Sequence, residues 1–557
     1  MSIIRTWLFC MLAISSVNVV SSELIKEPVA LVESVSSVSF EESVNRFPKA
    51  DYNEKNKIIT SLLEAKHDRA LELFTSVLKG QLFYVKKTGE LVYSEKIDGK
   101  KYLASSFMTG KEVGEFKKRK LKKVGINNAL RGQLKSAIAE LEIFSPVLKE
   151  RENAALSILK SAESHHLPLI NKALAFEQAN DNNEHVIEIL STAKSLISLK
   201  SNSAIERIQA IKDLDRSLYT ETRNGLIGFI DNALINIEDY SQSEVALAKK
   251  TLDSINQLMQ LNGVLENVYF GVALGAVLLL AAIGLAITFG VMGVINMAHG
   301  EMIMLGAYTT FVIQQIMPND IGMSLLVAVP AAFLVSGLVG VLIERSVIRH
   351  LYGRPLETLL ATFGISLVLQ QAVRSIFGPL NQDVITPEWM AGTFTVNAGL
   401  ELTYNRLYII IFSLMVLAGL ALVLKKTLFG LQMRAVTMNR PMASSMGIKT
   451  GWVDALTFGL GSGIAGIAGV ALSQLTNVGP NLGQAYIIDS FMVVVFGGVG
   501  NLWGTLVGAM SLGIANKMIE PMAGAVLAKI IVLVAIILFI QKRPRGLFAL
   551  KGRAVEG

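Results

Sequence analysis

The sequence predicts a mainly α-helical chain: a polytopic membrane bundle of about 8–10 spans, some broken or re-entrant, preceded by an exported helical domain with a small β insert. Three observations predict it. Charge is divided unevenly, with 68 Lys, Arg, Asp or Glu among the first 262 of 557 residues and only 29 among the last 295. The second part also holds apolar runs of about 18 residues or more, the length that crosses a bilayer. In the first part, apolar residues recur at helical spacing between polar turns. A wholly soluble enzyme is excluded, and a single cysteine excludes a disulfide scaffold. The net charge of +7 could suit nucleic acid, but much of it flanks the apolar spans. Membrane lipid, not nucleic acid, is the expected partner.

Residues 1–22 carry one cation, Arg5, then an apolar stretch from Trp7 to Ile14 and the small residues Val20-Ser21-Ser22. That is the layout of a secretory signal peptide, with an uncleaved anchor as the alternative. Cleavage near Ser22 would remove Cys10, and residue 23 onward would begin outside the membrane.

Residues 23–262 then read as an exported helical domain on the outer side of the membrane. Ile58, Ile59, Leu62 and Leu63, then Ala70, Leu71, Leu73 and Phe74, form two stripes around a turn at His67-Asp68. Similar pairs follow at 154–174 and 208–230. The spacing fits a HEAT-like array, each pair covering the next, and it fits a plain bundle equally. Between 81 and 113 three short runs, at Leu82–Val85, Leu91–Tyr93 and Tyr102-Leu103, alternate with Thr88-Gly89 and Asp98-Gly99 turns and predict a β-meander. The basic run KKRKLKK (117–123) reads as a solvated loop, with anionic headgroups as its other use. His165-His166 has no carboxylate or cysteine at metal-ligand spacing in the sequence, so no metal site is expected there.

From 263 to 545 a membrane domain is expected, with spans near 267–292, 301–317, 322–346, 356–377, 405–424, 451–473, 485–515 and 523–540. Cations mark the cytoplasmic side. Arg345, Arg349 and Arg354 place 344–357 inside; 381–405, with three acids and no Lys or Arg, lies outside; 425–449, with five cations and no acid, lies inside. The basic tail, 546–557, is inside only if 485–515 turns back on itself. Phe496-Gly-Gly-Val-Gly-Asn501 is the expected breaking point, and non-helical backbone at that depth needs a covering of protein or a cavity.

Gly290–Glu301 is a second Gly-broken segment and contains Asn296, His299 and Glu301 between apolar flanks. Polar groups there either line a path or lie at the surface, and broken segments in both halves of a bundle point to a transport path. Ser366, Gln370, Gln371 and Asn501 are further candidates for that path. The inward segment Gly430–Ile448 reads as an interaction helix offering one cation, Arg434, to a partner carboxylate.

Three blocks, GVINMAHGEMIMLGAY (293–308), LQMRAVTMNRPMASSMGIKT (431–450) and FGGVGNLWGTLVGA (496–509), resemble the permease subunits of branched-chain amino-acid type ABC importers. The resemblance covers about 267–547. The long exported extension, ETLLATFGISLVLQQAVR (357–374) and Pro387-Glu-Trp-Met390 resemble the longer permease of bacterial urea importers. The resemblance implies that residues 430–448, with Gly430, Met433, Arg434, Ala435, Asn439, Ala443 and Gly447, form the loop that couples to an ATPase. It further implies two ATP-binding subunits, a second homologous permease and a periplasmic solute-binding protein. The chain has no GxxxxGK[ST] loop, so no cofactor is expected on it and ATP is used by the partner subunits. The resemblance implies urea uptake, with a branched-chain amino-acid or short-chain amide importer permease as the alternative; a membrane scaffold or sensor is the non-transport alternative.

Overall fold

A computed structural model describes residues 37–65, 67–98, 101–180, 183–236 and 238–548. The expected export signal at 1–22 and most of the expected tail lie outside the described residues. The chain divides into two compact units, one ending at Ser201 and one beginning at Asn202. The change in charge density at Asn262 is therefore not a structural boundary. It falls inside one helix of 51 residues, Gln242–Met292.

In the first unit, helices α1 (Ser37–Arg46), α2 (Tyr52–Glu64) and α3 (Ala70–Leu78) are followed by strands β1 (Leu82–Val85), β2 (Leu91–Asp98), β3 (Lys101–Ser106), β4 (Glu112–Lys117) and β5 (Leu121–Lys123). The predicted stripes do the packing: Ile58, Ile59, Leu62, Leu73 and Phe74 are buried with Phe47, Leu82 and Phe107. Asp51 starts α2 by accepting the Glu54 N–H at 2.7 Å, the side-chain cap that such a helix start needs. The sheet has five antiparallel strands in the order β4-β3-β2-β1-β5, two more than the meander expected. The extra pairing comes from the basic run. Lys117 ends β4, residues 118–120 form a single tight turn, and Leu121–Lys123 pair with Val85–Phe83. Leu121 is buried while Lys122 and Lys123 are exposed, so one apolar side chain and backbone pairing with β1 hold this segment in the sheet.

Helices α4 (Asn128–Glu142), α5 (Leu148–Ser161), α6 (Leu167–Ala179) and α7 (Glu184–Ser198) complete the unit. They bury an ion pair, Arg151 Nε to Glu177 Oε1 at 2.6 Å.

The second unit opens with α8 (Ala204–Asp213) and α9 (Thr220–Ile235), then the long α10 (Gln242–Met292). Ser241 begins α10 with a reciprocal cap: its Oγ accepts the Glu244 N–H at 3.3 Å, and Glu244 Oε2 accepts the Ser241 N–H at 2.7 Å. Glu244 Oε1 also takes Arg207 Nε at 2.9 Å, so this end of the helix is anchored by a buried charge pair.

The bundle continues with α11 (His299–Ile316), α12 (Ile321–Ser346), α13 (Pro355–Phe377), α14 (Tyr404–Lys426), α15 (Leu428–Met438), α16 (Arg440–Ser445), α17 (Thr450–Ser473), α18 (Leu482–Gly497), α19 (Leu502–Ala523) and α20 (Ala525–Lys542). A short hairpin, β6 (Thr393–Asn397) with β7 (Leu400–Thr403), precedes α14. Among the described residues six helices are long and apolar enough to cross a membrane. Burial sorts them. The apolar windows of α10 and α17 are 83% and 89% buried, whereas those of α12, α13, α14 and α20 are at most 28% buried and offer Leu, Ile and Val outward. Apolar surface on that scale belongs in lipid. The fold is a polytopic helical membrane bundle with α10 and α17 at its centre.

Small residues let the central helices meet. A Cβ at Gly306 of α11 would stand 2.0 Å from the Gly466 oxygen of α17, closer than any side chain tolerates. The expected break in 485–515 is present: α18 stops at Gly497, Gly498 adopts φ +104°, and α19 starts at Leu502.

Candidate functional site

The first break follows Met292. Gly293, at φ +69°, ends α10 in the left-handed conformation that favours glycine. The chain then runs unwound to α11. The two breaks touch, since a Cβ at Gly290 would lie 2.6 Å from the Gly500 Cα.

The unwound residues spend their polar groups locally. Asn296 Oδ1 accepts the Ala298 N–H at 3.0 Å, and the Met297 N–H donates to Thr362 Oγ1 of α13 at 3.1 Å. His299 Nε2 donates to the Ala281 carbonyl at 2.9 Å, fixing α11 against α10. Two residues further, Glu301 Oε1 accepts Ser366 Oγ at 2.8 Å and Gln370 Nε2 at 2.7 Å. Ser366 and Gln370 are four residues apart on α13, so helical spacing aims both at one carboxylate. All of these side chains are buried, yet Asn296 Nδ2, His299 Nδ1 and Glu301 Oε2 have no hydrogen-bond partner among the described residues. A buried polar atom left unpaired costs about 1–3 kcal/mol. Three within six residues form a polar cluster with capacity to spare, able to bind donors and acceptors of a small solute.

Two candidates do not join it. Gln371 follows Gln370 by about 100° around α13 and is exposed. Asn501 caps α19: its Oδ1 accepts the Trp503 N–H at 3.0 Å and the Gly504 N–H at 3.3 Å, and its Nδ2 reaches the Phe548 carbonyl at 3.4 Å. A recess of about 390 Å3 between α12, α15 and α17 is separate again, and its lining of Phe333, Val341, Phe429, Leu456 and Leu460 gives a solute no hydrogen-bonding side chain.

The loop after α14 folds as two helices with opposed faces. Gly430, Met433, Val436 and Ala443 are buried against the bundle. Gly430 lies on the Leu424 carbonyl, where a Cβ would not fit. Asn439 caps α16 by accepting the Met442 N–H at 2.9 Å, and Gly447, at φ +88°, ends it. Leu431, Met438, Met442 and Met446 are exposed, while Ala435 is half-buried. Arg434 does not simply extend outward: its Nη1 donates to the Leu424 carbonyl at the end of α14.

The cation that ties this loop to the bundle is Arg440, which the sequence reading passed over. Its guanidinium pairs with Asp454 of α17, a fully buried carboxylate, and stacks 4.4 Å over the Tyr352 ring. Arg345 stacks in turn on Trp452 at 4.1 Å. Burial opposes the Arg440 charge, but the Asp454 carboxylate outweighs it and raises the guanidinium above its ordinary range. The available signal was Asp454 itself, a lone acid in an apolar span.

The first unit also holds a polar cluster that the local sequence around the two histidines does not show. Glu140 of α4 brings a carboxylate to His165 and His166, 25 residues on, so a local spacing search could not find it. Burial pushes the Glu140 carboxyl up and the His166 imidazole down.

A lipid-faced helical bundle with two touching breaks, a buried polar cluster beside them and a helical loop exposed between spans defines a multi-pass membrane permease. The family described as branched-chain amino acid transport system / permease component matches residues 267–540, and the chain belongs to it. It is a permease component of an ABC-type transporter. The high-affinity branched-chain amino acid transport system permease protein LivH of Escherichia coli strain K12 is 31% identical over 293 residues, covering 51% of this chain and 94% of its own length. The corresponding protein BraD of Pseudomonas aeruginosa is 28% identical over 293 residues, with 51% and 95% covered. The ribose import permease protein RbsC of Bacillus subtilis is 31% identical over 138 residues, with 22% and 43% covered. No solved structure matches the chain.

Proposed function

We propose that the chain forms the membrane path of an ATP-driven urea importer in the bacterial inner membrane. The observation that carries the substrate is the Glu301 carboxylate, fixed on one oxygen by Ser366 and Gln370 and, among the described residues, without a partner on the other. Urea has N–H donors for that oxygen and a carbonyl for a neutral donor such as Asn296 Nδ2. Every side chain that hydrogen-bonds Glu301 among the described residues is neutral. A zwitterionic amino acid would bring a carboxylate to a cluster without a bonded cation.

In this reading one of the two ATP-binding subunits docks on the exposed Leu and Met side chains of 428–446, which are soft and adaptable docking groups, and the other docks on the second homologous permease. ATP bound by those subunits drives their closure, and Arg440–Asp454 carries the push from α16 into α17. A second homologous permease completes the path. The N-terminal unit lies in the periplasm, on the side from which a solute-binding protein delivers. The helix pairs of that unit stack in the HEAT-like manner.

The names of the LivH and BraD relatives favour a second reading, uptake of branched-chain amino acids. The test is ATP-dependent uptake of labelled urea and labelled leucine by proteoliposomes holding the whole importer. Urea uptake that is lost in Glu301→Ala supports the proposal. Leucine uptake without urea uptake overturns it in favour of the second reading.

A further inference from the structure

We propose that Glu140, His165 and His166 form a binding site for a divalent transition-metal ion of the zinc type. One ligating atom from each lies within 4.8 Å of the others. Tetrahedral zinc with bonds of about 2.0–2.1 Å needs its ligand atoms about 3.3 Å apart. The gap closes by side-chain rotation, because His165 is exposed and its contact with Glu163 lies at the surface.

The second observation is independent of that spacing. His166 is only 1% exposed, yet its Nδ1 has no hydrogen-bond partner among the described residues, while its Nε2 lies 3.0 Å from Ser136 Oγ. This is the arrangement of a metal-binding histidine: one ring nitrogen donates to an outer partner and the other keeps its lone pair for the ion. His165 is prepared in the same way, with Nδ1 at 3.3 Å from Glu163 Oε2, which leaves its Nε2 for the metal. The two rings lie 3.9 Å apart between centroids, side by side at the end of α5 and the start of α6. Glu140 approaches from α4 and supplies the negative charge that two neutral imidazoles lack. Two nitrogens and one oxygen suit zinc, nickel or copper better than calcium or magnesium, which prefer all-oxygen shells. Three protein ligands leave a fourth position for water or an outside group.

The experiment uses the full chain in detergent, without a polyhistidine tag, stripped by chelator and titrated with zinc chloride. Cobalt(II) serves as the optical reporter. One equivalent of zinc is expected to bind, and cobalt is expected to give the intense visible bands of a four-coordinate site. Glu140→Gln and His165→Asn change half-buried or exposed side chains, so both should fold as judged by circular dichroism and lower zinc affinity at least tenfold. Ser136→Ala should lower it about 10–100-fold by releasing the His166 ring. No saturable zinc binding, or binding that Glu140→Gln and His165→Asn leave unchanged, overturns the assignment.

Discussion

Replacing Arg440 by Met should destabilise the protein more than replacing its partner Asp454 by Asn. The two ends of the pair differ in exposure: the Asp454 side chain is fully buried, whereas the Arg440 side chain is 40% exposed. Arg440→Met leaves the Asp454 carboxyl inside the bundle without its cation, so that it either carries an unpaired charge or must take up a proton, and its Oδ1 has no hydrogen-bond partner among the described residues. Removing one partner of a buried pair costs about 3–5 kcal/mol, and partial solvent screening at Arg440 puts this case at the lower end, about 3 kcal/mol. Asp454→Asn leaves a cation that water can reach and an amide of the same shape, so its cost is about 1 kcal/mol. The difference of about 2 kcal/mol is about a thirtyfold difference in the folded-to-unfolded ratio. Thermal unfolding in detergent should therefore rank wild type, Asp454→Asn and Arg440→Met in that order, with the double variant above Arg440→Met alone because no buried charge is stranded. Equal losses, or a larger loss for Asp454→Asn, would refute the asymmetry and the tie between α16 and α17.

Four other outcomes follow from the packing and the caps. Gly306→Val should abolish the folded yield, since its Cβ meets the Gly466 oxygen, while Gly364→Val, with nothing within 4 Å, should leave yield and unfolding temperature unchanged. Ser241→Ala should cost about 1 kcal/mol by removing the cap of α10, read as a lower unfolding temperature. Arg434→Glu should insert normally but abolish uptake, because it loses the Leu424 carbonyl and sets a negative charge beside it. Met438→Asp with Met446→Asp should leave the unfolding temperature unchanged while abolishing uptake-coupled ATP hydrolysis in the reconstituted importer, since both side chains are exposed.

What the sequence revealed depended on how local the cause was. Helix starts and breaks are local, and the turn at His67-Asp68, the unwinding after Met292 and the stop at Gly497–Gly498 all stand where Gly and polar residues predict. Ser366 and Gln370 were legible as a pair through their spacing of four. Gln371 fails by the same rule, one step around the helix. Asn501 carried its answer too, because an Asn just before a helical run is first a cap. The strand at 121–123 was hidden, since the six cations of the run 117–123 outweigh one buried leucine in any compositional judgement. Pairings between distant elements were not legible at all. Glu301 with α13, Arg440 with Asp454, and Glu140 with the two histidines are set by tertiary packing, which no spacing along one segment encodes.

The central claim, that residues 428–446 form the coupling surface, is tested most directly by cysteine cross-linking along that loop in membranes containing the whole importer. Adducts with an ATP-binding subunit are predicted at the exposed positions Leu431, Met438, Met442 and Met446, and none at the buried Met433, Val436 and Ala443. Adducts with the solute-binding protein instead, or none at the exposed set, would contradict it.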